Sequence, residues 1–162
     1  TRIMTFLEPS KYSSTTAYQQ DNSVMAIGSG KLYGKGLNNN TIADVTVSDT
    51  GFVSEQQTDF IFSVVGEETG FIGSVIVIAL LAIIMIECLK TAYVAKNMSG
   101  RLIASGMAAL IGFQSFINIG VATEFLPNTG LPLPFVSYGL TSLLSYMAGI
   151  GIVLNIGLQR HY

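Results

Sequence analysis

Apolar and polar positions are distributed very unevenly along this chain. From residue 69 onward, charge-free stretches cover residues 69–86, 102–123 and 125–159, which are 18, 22 and 35 residues long. A hydrocarbon core about 30 Å thick needs about 20 apolar helical residues to cross it, so each stretch predicts a membrane span. The first helix reaches about residue 90 if Glu87 sits near an interface or faces protein. Pro127, Pro132 and Pro134 make the front of the third stretch a loop, which starts its helix near Phe135. The predicted helices are therefore about 69–90, 102–123 and 135–158. Residues 1–58 instead read as a polar loop with short helices, and the membrane region as residues 59–162. Within the polar part, VMAIGSGKLYGKG is apolar and then glycine-rich, Asn38-Asn39-Asn40 and Asp49-Thr50-Gly51 signal turns, and residues 58–65 become apolar again. The expected fold is an all-α polytopic membrane protein, three transmembrane helices preceded by a large extracytoplasmic loop.

Composition strengthens this division. The 162 residues are 49% hydrophobic and 11% charged, against about 25% charged in average soluble domains. Residues 1–68 hold four basic and eight acidic side chains, net −4, and residues 69–162 hold four basic and two acidic ones, net +2. Six charges cannot dress a water-facing surface for the second part. Lys90, Lys96 and Arg101 flank the connection between the first two spans, and Arg160 follows the third. Basic residues gather on the cytoplasmic side, so residues 90–101 and the C-terminus are expected there, with residues 1–68 and 124–134 outside. A lone cysteine, Cys88, excludes an intramolecular disulfide and a Cys-based zinc site, and a lone histidine, His161, excludes His-based triads. Mild acidity without a basic stripe argues against a nucleic-acid partner. The start at Thr1 without a signal-peptide pattern reads as a piece of a longer protein.

The candidate chemistry lies in the polar part and at its border with the membrane. The glycine-rich stretch is not a Walker loop, because Ser29 stands at the first glycine position and Gly36 follows Lys35. It is not a dinucleotide fingerprint either, because Tyr33 occupies the third glycine position. A flexible loop carrying Lys31 and Lys35 at a membrane surface is the expectation. Asp59 sits where polar sequence becomes apolar. Partial desolvation there raises a carboxyl pKa toward values useful in proton transfer, and a helix N-cap is the structural alternative. Glu67 and Glu68 carry the same ambiguity. Glu87, Gln114, Asn118 and Asn155 are polar groups that lipid cannot satisfy, so they should face protein or water, with helix-to-helix hydrogen bonding expected of Gln114 and Asn155. Ser105 with Ala109, and Ser145 with Gly149, have the spacing of close helix packing.

Four strings, in this order, carry a resemblance: MAIGSGKLYGKG, QTDFIFSVVGEETGFIG, NIGVATEFLPNTGLPLPFVSYG and AGIGIVLNIGLQRH. Together they closely resemble the C-terminal part of the SEDS family (RodA, FtsW and SpoVE), over nearly the whole chain and least over residues 38–54. The resemblance implies a polytopic peptidoglycan glycosyltransferase that polymerises lipid II, a disaccharide-pentapeptide on undecaprenyl pyrophosphate, in the bacterial inner membrane. It implies a class B penicillin-binding protein as partner, and inactivity of this piece alone. The Asp of the TDFIF motif falls on Asp59 and is implied to be catalytic. Attack of an acceptor hydroxyl needs a general base, and the departing pyrophosphate needs positive charge. Lys31, Lys35 and Arg2 are the implied phosphate contacts, Ser137 and Tyr138 further substrate-binding residues, and Mg2+ or Mn2+ at Asp59 a possible cofactor, with no organic cofactor. A lipid-linked precursor flippase and a non-catalytic scaffold of the division or elongation machinery are the alternatives. Against the family pattern, Gln57 replaces a common His, Leu140 replaces a second glycine after SYG and adds bulk at a tight helix start, and Glu124 charges an outer loop.

Overall fold

The computed structural model describes residues 15–36 and 60–159, with side chains from Asp21 onward. Asp59, Arg2 and Arg160 lie outside the described residues. Four helices carry the fold: α1, Thr15–Ser29; α2, Ile61–Val94; α3, Met98–Ala122; and α4, Leu140–Leu158. No strand occurs among the described residues. The last three are long and apolar enough to cross a membrane. α2 and α3 form the main contact, α4 lies against both, and α1 packs on α2 and α3.

The helix limits correct the sequence reading in three places. α2 begins at Ile61, well before residue 69, because Ile61, Phe62, Val64 and Val65 extend the apolar pattern across Gly66-Glu67-Glu68 and the chain then breaks within the helix at Gly70. α3 begins at Met98 rather than residue 102, since Arg101 does not end it: the Arg101 Nε donates to the Ala95 carbonyl at 3.0 Å and closes the end of α2 instead. α4 begins at Leu140, not near Phe135, because Phe135 is left-handed at φ 64 and cannot continue a helix. Leu140 itself is 76% exposed, so its bulk points away from the turn.

Within residues 131–139, Leu133, Pro134 and Ser137 are tucked into the bundle, while Leu131 and Tyr138 stay exposed. Leu133 and Pro134 are fully buried, and Phe135 touches both core clusters. One cluster joins Cys88, Ala104, Ala108, Ile111 and Val153, and the other joins Phe62, Leu81, Ala122 and Leu133. Non-helical backbone at such depth must find hydrogen bonds within the protein. The Asn118 Nδ2 donates to the Leu131 carbonyl at 2.7 Å, and the Leu133 N–H donates to the Ser137 Oγ at 3.0 Å. Asn118 therefore does face protein, as a membrane polar group should.

The other intramembrane polar groups divide. Tyr146 on α4 donates to Gln114 on α3, the helix-to-helix bond expected of Gln114. Asn155 instead accepts from Gln159, the C-cap residue of the same helix, and is exposed. Glu87 is exposed and pairs with Lys90 at 2.6 Å. The small residues in the packing also shift: Ala104 and Ala108, not Ser105 and Ala109, are buried on α3, while Gly149 does receive Met107.

Candidate functional site at the break in α2

Gly70 has φ 69 and ψ −163, a conformation open essentially to glycine alone, and it divides α2 into two half-helices. Such a break leaves carbonyls unpaired at the end of one half and N–H groups unpaired at the start of the next. The turn that follows α1 supplies both. Lys35 N–H donates to the Glu67 carbonyl at 2.9 Å and Gly36 N–H to the Glu68 carbonyl at 3.1 Å. In return, Phe71 N–H donates to the Lys31 carbonyl at 2.9 Å and Ile72 N–H to the Leu32 carbonyl at 3.3 Å. The glycine-rich stretch is thus an ordered plug in a broken helix, correcting the expectation of a flexible loop.

Glycine makes the approach possible. A Cβ on Gly30 would overlap the Gly66 carbonyl, one on Gly34 the Glu68 carbonyl, and one on Gly70 the Gly34 nitrogen. The four positions form two G-x-x-x-G pairs, Gly30 with Gly34 and Gly66 with Gly70. Small residues at that spacing are the signal for close backbone approach in membranes, and this signal would have located the contact.

Lys35 and Glu67 are joined a second time through their side chains, Nζ to Oε1 at 2.7 Å. The Glu67 side chain is 0% exposed and that of Lys35 27%. A buried carboxylate is strongly unfavourable unless paired, so Glu67 fixes the lysine. Sequence reasoning left Glu67 as a helix-start residue and missed this partner, 32 positions away. Lys31, by contrast, is exposed at φ 49, a left-handed backbone held by the Phe71 bond. Both lysines line a cavity of ≈ 450 Å³ bounded by residues 29–35.

The other residues implied by resemblance fall elsewhere. Ser137 is buried and its hydroxyl accepts from Leu133, a structural role in the tucked-in loop, while Tyr138 is 86% exposed. Neither lines the cavity of the lysines. The N-cap position of α2 falls on Phe60 rather than Asp59, with no side-chain cap bond. Among the described residues no three His, Cys, Asp or Glu side chains converge to hold a metal ion.

At the same end of the bundle, α1 is tied to the end of α3. Ser23 Oγ donates to the Ala122 carbonyl at 2.9 Å. Glu124, left-handed at φ 59, meets Asp21 carboxyl to carboxyl. Desolvation first, then the hydrogen bond and charge of Asp21, push the Glu124 carboxyl above the ordinary range.

The family of cell cycle proteins FtsW, RodA and SpoVE matches this chain over residues 1–162. The chain belongs to the FtsW/RodA/SpoVE family. Among family members, the chain is 38% identical over 155 residues to the probable peptidoglycan glycosyltransferase FtsW of Geobacter metallireducens, covering 96% of this chain and 40% of that protein. It is 39% identical over 159 residues to the peptidoglycan glycosyltransferase MrdB of Escherichia coli K12, covering 98% and 42%. A solved chain from work on the structural coordination of polymerization and crosslinking by a peptidoglycan synthase complex aligns with TM-score 0.74 and 31% identity, over 98% of this chain and 41% of that one. The chain thus spans about two-fifths of the length of these FtsW/RodA/SpoVE relatives. It is a membrane protein of that family, and among the described residues three helices are long and apolar enough to cross a membrane.

Proposed function

We propose that this chain is the C-terminal part of a peptidoglycan glycosyltransferase that polymerises glycan strands from lipid II. The observation that carries the reading is the similarity to a named peptidoglycan glycosyltransferase, 39% over 98% of this chain. The 4-hydroxyl of an acceptor GlcNAc attacks C1 of a donor MurNAc, and undecaprenyl pyrophosphate departs with the bonding electron pair. Asp59, the motif carboxylate at the membrane border, takes the hydroxyl proton as general base. Lys31, Lys35 and Arg2 are the cations assigned to the leaving pyrophosphate, with Lys35 also paired to Glu67. An α-linked donor and a β-linked product require inversion at C1. Mg2+ or Mn2+ is proposed as an ion that the Asp59 carboxylate would hold, where it would supply positive charge for the departing pyrophosphate.

The site lies on the outer face of the bacterial inner membrane in this reading. Lys90, Lys96 and Arg101 gather at the opposite end of the bundle, which supports a cytoplasmic placement of that end. A class B penicillin-binding protein is the proposed partner, supported by the alignment with a chain from a peptidoglycan synthase complex. The test is glycan polymerisation from lipid II by the full-length protein carrying Asp59→Asn. Product should fall by about 100-fold or more with normal expression, while lipid II translocation across vesicles stays unchanged. Undiminished product removes Asp59 as base, and lost translocation favours a flippase.

A further inference from the structure

We propose that the cavity between the start of α3 and the end of α4 holds the headgroup and glycerol region of one anionic phospholipid, with Lys96 as its phosphate contact. The site lies at the basic end of the bundle, opposite the α2 break, and does not rest on the glycosyltransferase reading.

The cavity measures ≈ 500 Å³ and opens beside the turn that joins α2 to α3. Its lining is sorted by depth. Lys96, Ser99 and Gln159 stand at the helix ends, whereas Ile103 and Ile152 lie about 7–10 Å further along α3 and α4. Ile156 sits between them, packed so closely on α3 that a Cβ on Gly100 would come within 3.0 Å of its Cγ2. A polar rim over an apolar floor, at the level where membrane helices meet water, matches an amphiphile. A free anion would leave that floor against water.

The charges at this end single out Lys96. From residue 69 onward the acidic residues are Glu87 and Glu124, and Glu124 lies at the other end, beyond α3. Glu87 pairs with Lys90 at 2.6 Å, and those two line a separate cavity of ≈ 280 Å³. Lys96 is exposed and has no hydrogen bond or ion pair among the described residues. Arg101, its Nε on the Ala95 carbonyl at 3.0 Å, adds a second cation at the same turn. Basic residues at a membrane end attract anionic lipid diffusely, but a basic pocket between helices holds a headgroup in place. Charge selects the phosphate, and the isoleucine floor selects a lipid over a soluble phosphate.

The test uses the full-length protein in detergent, with native mass spectrometry comparing retained phosphatidylglycerol and phosphatidylcholine of the same acyl chains. The parent should retain one phosphatidylglycerol, preferred over phosphatidylcholine by about fivefold or more. Lys96→Gln removes a cation with no described contact, so the fold is kept, and it should lower that retention about fivefold. Ile152→Trp fills the floor, keeps every charge, and should lower retention by a similar factor. Lys90→Gln should leave it within about twofold, because Lys90 lines the other cavity. Excess glycerol phosphate, which offers the anion without acyl chains, should not displace the lipid. Equal retention of the two lipids overturns the site. So does a loss in Lys90→Gln as large as that in Lys96→Gln, the mark of diffuse surface charge. Unchanged retention in Ile152→Trp puts the lipid outside the cavity, and displacement by glycerol phosphate makes the soluble anion the ligand; either result overturns the proposal. No retained phosphatidylglycerol means that another segment of the full-length chain fills the cavity, and it overturns the proposal as well.

Discussion

Single residues set the geometry of the candidate site, and glycines do so by what they lack. Gly70 combines a glycine-only backbone conformation with contact against the Gly34 nitrogen, so Gly70→Ala meets both strain and overlap. That substitution should destabilise the protein by about 3 kcal/mol or more, measured as a lowered unfolding midpoint in detergent micelles. Gly28 is the contrast, helical with nothing near its missing Cβ. Gly28→Ala should be neutral or stabilising by up to about 1 kcal/mol. The glycine-rich string was legible as a motif, but its residues looked alike in sequence. Only their neighbours distinguish Gly28, where an added Cβ would meet nothing, from Gly30 and Gly34, where it would meet another backbone.

At the scale of elements, a break in one helix is completed by a turn from another, and a loop is completed by the helix it follows. Both devices place irregular backbone inside the bundle while leaving its groups paired. The α3–α4 contact is tuned by one polar bond, Tyr146 to Gln114, beside the Phe135 ring at a centroid distance of 5.4 Å. Tyr146→Phe keeps the ring and removes the donor, so unfolding in mixed micelles should report a loss of about 0.6 kcal/mol. Tyr146→Ala removes the ring as well and should cost about 3–5 kcal/mol. The spans were legible because a charge-free run of sufficient length has few soluble alternatives. Their starts were less so: Gly66-Glu67-Glu68 looked like a boundary, yet Glu67 is carried inside by its ion pair with Lys35.

At the scale of the whole molecule, α1 is joined to the membrane helices through the α2 break and through the end of α3, where Asp21 meets Glu124. A carboxyl held above its ordinary value of 4.5 is favoured in its protonated, hydrogen-bonding form. The contact therefore contributes in full below that value and is lost as pH rises through the raised one, where two carboxylates face each other. Glu124→Gln should remove this pH dependence and stabilise the protein near pH 7 by under about 1 kcal/mol, the small size reflecting solvent screening, read as a thermal midpoint that no longer falls between pH 4 and 7. The sequence by itself determined the membrane class, the number of spans among residues 69–159, the gathering of basic residues at one end and, through its motif strings, the family. These are properties of composition, run length and local order, which do not depend on docking. Tertiary structure alone decided that Lys35 pairs with Glu67, that Gly30 and Gly34 meet Gly66 and Gly70, and that Leu133 and Pro134 lie buried within the bundle. Each of those facts joins segments distant in the chain, and a buried charge or an exposed loop carbonyl is unfavourable until its partner arrives, so packing rather than local pattern selects the pair.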